Sequence, residues 1–282
     1  MKKEIDIDVK SNGMWLDADI TYAHVPGWLG NSTRDLKLSI IRPFPTEDKK
    51  YPVIVWFAGG GWMDVDYNIH LANLVEFAKK GFIIASVEYR DSNKINFPGQ
   101  LTDAKAAIRF LRKNSENFQI DTNKFVAMGE SAGGHMASML GVTNGIEKFD
   151  VGDNLEFSSD VQLSIPWYGV VDPLTAKQGS VTDDFDFVYR NLLGKEPEES
   201  PTLDDQANPL TYINKNTVPF LILHGEDDVV VPVKDGIALY DKLQSNQIES
   251  DLYILKNTDH MDIKFWQEEI RDIVVDFINK NI

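Results

Sequence analysis

Residues 129–133 read GESAG, a serine framed by a glycine two positions before and two after it. A hydroxyl becomes an effective nucleophile at neutral pH when an imidazole takes its proton and a carboxylate orients the imidazole. That set of groups performs acyl transfer. The chain holds five histidines to search: His24, His70, His135, His224 and His260. Three adjacent acids, Glu226, Asp227 and Asp228, stand in HGEDDVVVP, and His260 stands in KNTDHMDIKF. Ser131 also suits a plain helix cap, since serine is a favoured N-cap residue. By composition alone G-x-S-x-G arises in about one chain in ten of this length, so the motif needs its context.

The elements that must hold Ser131 supply that context. YPVIVWFAGGG, FIIASVEYR, KFVAMG, DVQLSIPWYG, PFLILHG and DLYILKN contain short apolar runs of strand length. The runs in YPVIVWFAGGG and FIIASVEYR suit buried strands. LKLSIIRP alternates, as a half-buried strand does. Helical spacing marks 70–81, 100–114, 132–140, 233–244 and 265–280. Strand and helix alternate, which predicts a mostly parallel α/β sheet covered by helices on both faces. Ser131 then falls where a strand turns into a helix. There the tight turn lifts its Oγ above the strand end, and the helix N-terminus favours developing negative charge. Residues 172–208 break the alternation with an acidic, mixed segment whose apolar knot is Phe185 to Leu193. An insertion of that length reads as a small cap on one domain spanning 1–282.

GESAGGHMA closely resembles the nucleophile elbow of α/β-hydrolase serine esterases. VIVWFAGGGW, ASVEYR, FPGQLTDAKAAIRFLRKN, NPLTYI and LILHGEDDVVVP extend the resemblance in the same order over most of residues 36–262. The chain is similar to carbohydrate- and feruloyl-type esterases and to the hormone-sensitive-lipase-like acetyl esterases. In this fold the order is serine, acid, histidine. His24 and His70 precede the serine. His135, one turn along the same helix, reads as a packing residue pointing along its exterior, and His224 as a shaper of the acidic turn. His260 remains as the base. The resemblance selects Asp228 as the acid, with Asp227 as the alternative. Ala132, after the nucleophile, supplies one oxyanion amide, and by resemblance Gly60 and Gly61 supply the others. The chain departs from its relatives at Ala58, where they usually carry a histidine.

Trp62, Trp167 and Tyr168 are expected to line the substrate site. The expected substrate is a small ester: acetyl, another short acyl or hydroxycinnamoyl, on a carbohydrate or other alcohol. No metal or organic cofactor is required. Amide or formamide hydrolysis, as in kynurenine-formamidase-like enzymes, and peptidase-like hydrolysis use the same triad. A binding protein that kept the fold is the non-enzymatic alternative.

The 282-residue chain carries 44 acidic and 28 basic residues, a formal charge of −16. That charge repels phosphate backbones and anionic lipid, against nucleic-acid and membrane-surface roles. The absence of cysteine excludes disulfides, thiolate metal sites and cysteine nucleophiles. MKKEIDIDVK lacks an apolar core region, so no signal peptide is expected. With no membrane span in the sequence, a cytoplasmic protein is expected, and a homo-oligomer stays open.

Overall fold

The computed structural model describes residues 1–8, 13–27, 30–44, 49–63, 65–181, 186–199 and 201–282. Its centre is an eight-stranded sheet ordered β1-β2-β4-β3-β5-β6-β7-β8. The strands are β1 (Met14–Pro26), β2 (Thr33–Pro43), β3 (Tyr51–Phe57), β4 (Ile83–Val87), β5 (Ile120–Glu130), β6 (Leu163–Trp167), β7 (Phe220–Gly225) and β8 (Ser250–Leu255). From β4 through β8 all neighbours pair in parallel. β2 joins β4, and β1 joins β2, antiparallel.

The apolar runs serve both faces because strand side chains alternate. In β3, Val53, Val55 and Phe57 enter one core layer while Ile54 and Trp56 enter the other. β5 does the same with Phe125 and Ala127 against Val126 and Met128. The first layer packs on α2 (Gly99–Lys113) and α4 (Ala132–Val142). The second packs on α1 (Leu71–Lys79) and α9 (Glu268–Asn281). The short helix α3 (Ser115–Phe118) leads into β5. On the α4 side, Leu239 and Leu243 of α8 (Val233–Ser245) cover Phe220 and Ile222 of β7.

Within 172–208 the described residues form α5 (Pro173–Gly179), α6 (Asp186–Leu193) and α7 (Pro201–Ala207). Asp172 starts α5 by accepting from the amides of Leu174 and Thr175, with Pro173 as the first helical residue. This is the local chemistry of a helix start. α6 is the apolar knot, its Val188, Tyr189, Leu192 and Leu193 joining the first core layer. Phe185, the knot's first residue by sequence, lies outside the described residues.

Two differences from the sequence reading are physical. β1 carries no expectation, because its sides are mostly half-exposed and its pairing with β2 shifts register twice, at Asp17/Ile20 and Thr21/Ala23. Such an edge strand lacks the clean alternation that marks a half-buried one. The last helix begins at Glu268 rather than 265, since Ile263–Trp266 form a 3₁₀ turn and Gln267 is extended. Among the described residues no helix is long and apolar enough to cross a membrane.

Candidate active site

Only Ser131 separates β5 from α4, and it holds φ 51° and ψ −119°. For a residue with a Cβ this left-handed conformation costs roughly 1–3 kcal/mol. The surrounding glycines make the turn sterically feasible. A Cβ on Gly133 would lie 1.9 Å from the Phe57 carbonyl oxygen, and one on Gly129 would lie 2.4 Å from the Gly133 carbonyl oxygen. No such contacts are tolerated between backbone atoms, so strand and helix can meet here only through glycine. The side chain of Ser131 makes no capping hydrogen bond to α4.

Instead its Oγ lies 3.0 Å from His260 Nε2, and His260 Nδ1 lies 2.7 Å from Asp228 Oδ2. A carboxylate only accepts, so Nδ1 carries the proton and donates, leaving Nε2 to accept from the serine hydroxyl. Asp228 Oδ1 accepts from the amides of Val230 and Val231 at 2.9 and 2.8 Å. Burial pushes the Asp228 carboxyl up, but the hydrogen bonds from His224 and His260 outweigh it and hold it at about 2. Glu226 and Asp227 are exposed, so of the three adjacent acids only Asp228 turns inward.

Sequence reasoning missed Asp259. Its Oδ1 accepts from the His260 amide at 2.7 Å and the Val229 amide at 3.1 Å. It thus ties the loop of His260 to the loop of Asp228, a link a lone acid beside a histidine does not advertise. His224 does shape the acidic turn, with Nε2–H donating to the Val231 carbonyl at 2.9 Å. His135 packs, but inward rather than along the helix exterior. It is fully buried, its Nε2–H donates to the Ala207 carbonyl at 2.6 Å, and burial drives its pKa down to about 4. It joins α4 to the end of the 172–208 segment and stays neutral, away from the serine's proton.

Gly60, Gly61 and Ala132 share a cavity wall with Ser131 and His260. Their three amides have no backbone acceptor among the described residues. Gly60 and Gly61 hold φ 112° and 58°, a left-handed path open to glycine. At Ala58 the loop is braced through its backbone, the carbonyl accepting from the Tyr89 hydroxyl at 2.8 Å. The next residue, Gly59, directs its amide at Glu130 Oε1, 3.4 Å away.

The cavity measures about 440 Å³. Its wall comes from Met63, Val170, Phe187, Val188, Tyr189, Met261 and the run Val229–Val231, besides the groups already named. Of the three aromatics expected there, only Trp62 lines it. Trp167 is fully buried in the opposite core layer among Trp56, Phe265 and Trp266. Tyr168 is equally buried, with its hydroxyl on Glu130 Oε2 at 2.5 Å and its ring beside His260. Trp167 ends β6 and Tyr168 follows it, both packing on the far face of the sheet, so neither lines this cavity.

The chain belongs to the BD-FAE family, whose sequence model matches residues 38–243, and it has the α/β-hydrolase fold. It is 28% identical over 200 residues to Esterase LipC of Mycobacterium tuberculosis, covering 70% of this chain and 49% of LipC. The chain therefore spans about half the length of the curated relatives it matches. Among solved structures it is similar to a truncated carbohydrate esterase from gut microbiota, with a TM-score of 0.81, 23% identity and 96% of each chain covered. It is also similar to a bifunctional GH43-CE protein of Bacteroides eggerthii, with a TM-score of 0.82, 28% identity, 98% of this chain and 39% of the other covered.

Proposed function

We propose that this protein hydrolyses small carboxylic esters, with Ser131 as nucleophile, His260 as general base and acid, and Asp228 as orienting carboxylate. The observation that carries the reading is the continuous relay of Ser131 Oγ, His260 and Asp228 beside a cavity also lined by Gly60, Gly61 and Ala132, whose amides have no backbone acceptor among the described residues. His260 takes the hydroxyl proton as Ser131 Oγ bonds to the ester carbonyl carbon. The amides of Gly60, Gly61 and Ala132 hold the oxyanion, each worth on the order of 3 kcal/mol. The tetrahedral species collapses, the alcohol leaves with the proton from His260, and an acyl group remains on Ser131. His260 then activates a water, which releases the carboxylic acid and restores the serine.

The cavity wall bears on the substrate. Apart from Ser131 and His260, the charged side chain lining it is Asp259, and its Oδ1 is engaged by two amides. A sugar ring needs several free polar partners, whereas valine, methionine and phenylalanine suit an apolar acyl group. We therefore place the acyl chain, short aliphatic or hydroxycinnamoyl, in the cavity and a carbohydrate or other alcohol toward its mouth. Residues 172–208 act as the cap of one α/β-hydrolase domain, α6 supplying Phe187, Val188 and Tyr189 to the wall. The family relatives named as esterases favour ester over amide cleavage. A chain without cysteine suits the cytoplasm as its compartment. A panel of p-nitrophenyl esters, acetylated sugars and methyl ferulate, with Ser131→Ala as control, tests the reading. Turnover of none of them, or equal turnover by the control, would overturn it.

A further inference from the structure

One buried carboxylate beside the nucleophile has no part in the relay. Glu130 is 3% exposed and immediately precedes Ser131. Its Oε1 accepts from His70 Nε2–H at 2.7 Å and lies 3.4 Å from the Gly59 amide. Its Oε2 accepts from the Tyr168 hydroxyl at 2.5 Å. Burial pushes this carboxyl up, but the hydrogen bond and charge of His70, helped by Tyr168 and Gly59, outweigh it and keep it ionised.

What these partners touch gives the network its meaning. Gly59 precedes the amides of Gly60 and Gly61, and a Cβ on it would lie 3.2 Å from Ser131 Cβ. Loop and elbow are therefore in direct contact above Glu130. The Tyr168 ring packs edge-on against the His260 imidazole, centroids 4.8 Å apart. His70 in turn lies against Trp266, centroids 4.7 Å apart, in the second core layer. One anchored carboxylate thus links the amide-bearing loop, the nucleophile's own backbone and the ring behind the base.

We propose that Glu130 is a positioning residue, fixing through Gly59 the loop that presents the Gly60 and Gly61 amides and through Tyr168 the imidazole of His260. The proposal rests on the ester-hydrolase reading above. A charge-assisted network of this kind holds its members more tightly than neutral hydrogen bonds do. Errors well below an ångström in an oxyanion donor are costly in rate rather than in ground-state binding.

The test compares the wild type with Glu130→Gln and Tyr168→Phe. It measures kcat and KM on p-nitrophenyl acetate, the second-order rate of inactivation by a fluorophosphonate, and the thermal midpoint. Glu130→Gln is expected to lower kcat roughly 10- to 100-fold with KM within about threefold, and to slow inactivation by a similar factor. Tyr168→Phe, which removes only the hydroxyl, is expected to show the same pattern at about three- to tenfold. A folded Glu130→Gln protein with kcat and inactivation unchanged would overturn the proposal, and the network would then serve the fold alone. If Glu130→Gln fails to fold, unchanged rates in Tyr168→Phe overturn it instead. A wild type inactivated by the phosphonate but inert to every ester would sink the ester reading, while the ratio of inactivation rates would still decide the role of Glu130.

Discussion

Asp228 holds two amides with one oxygen and the imidazole with the other, so a change of one atom separates its two tasks. In Asp228→Asn the amide oxygen can still accept from Val230 and Val231. The NH₂ group cannot accept from His260 Nδ1–H, so the imidazole shifts its proton to Nε2 and can no longer take one from Ser131. The expected result is a kcat lower by a factor on the order of 10⁴ with the fold intact, measured by steady-state kinetics and circular dichroism. A loss below tenfold would contradict the role of Asp228. Asp235 makes a different prediction. Burial raises its carboxyl to about 6 from an ordinary 3.8, although the Val171 amide donates to it at 3.0 Å. The folded state therefore binds this proton more tightly than the unfolded chain does. Stability from this group falls as pH rises between about 4 and about 6, and the penalty persists above that. Asp235→Asn is expected to raise the thermal midpoint at pH 7.5, by up to about 3 kcal/mol of stability, and to change it little at pH 4. An equal shift at both pH values would contradict this. At this scale the pairing of Ser131 with His260 is legible in sequence because motif and chain order single them out. The choice of Asp228 over Asp227 depends on which neighbour the turn buries. The placement of Trp167 and Tyr168 was not legible, because nearness in sequence to β6 does not say which face of the sheet a ring will take.

The strand–turn–helix element carries its own prediction. Gly133→Ala would push a methyl group to 1.9 Å from the Phe57 oxygen, and backbone cannot yield as a flexible side chain does. α4 would have to move off β3, at a cost of about 3 kcal/mol or more. Thermal denaturation should show a large fall in midpoint, with loss of fluorophosphonate labelling in whatever remains folded. A stable, normally labelled Gly133→Ala protein would contradict the packing described. The buried strands β3–β7 were legible because uninterrupted β-branched and aromatic runs admit few other states. β1 was not, since a half-exposed edge strand with two register shifts leaves no regular pattern. The start of α5 at Asp172–Pro173 carries a readable capping signal, but its helix is too short to show a period.

Across the whole molecule, the sheet offers one face to α1 and α9 and the other to α2, α4 and α8. The loops at the ends of its parallel strands meet where β5 hands over to α4. The alternation of strands and helices made this architecture legible. The strand order and the antiparallel β1–β2 margin were not, since pairing depends on contacts far apart in sequence. In α6, Phe187 is 43% exposed and lines the cavity wall without joining the core. Phe187→Ala should therefore leave the thermal midpoint nearly unchanged and shift kcat/KM between acetyl and hydroxycinnamoyl esters by about tenfold. An unchanged ratio would show that α6 does not touch the acyl group. The kinetic expectations depend on an acyl group passing through Ser131. Rapid-quench mass spectrometry on mixing with p-nitrophenyl butyrate tests that directly. The expected result is one butyryl group per chain, mapped to Ser131 and absent in Ser131→Ala. Turnover with no covalent species, undiminished in Ser131→Ala, would contradict it.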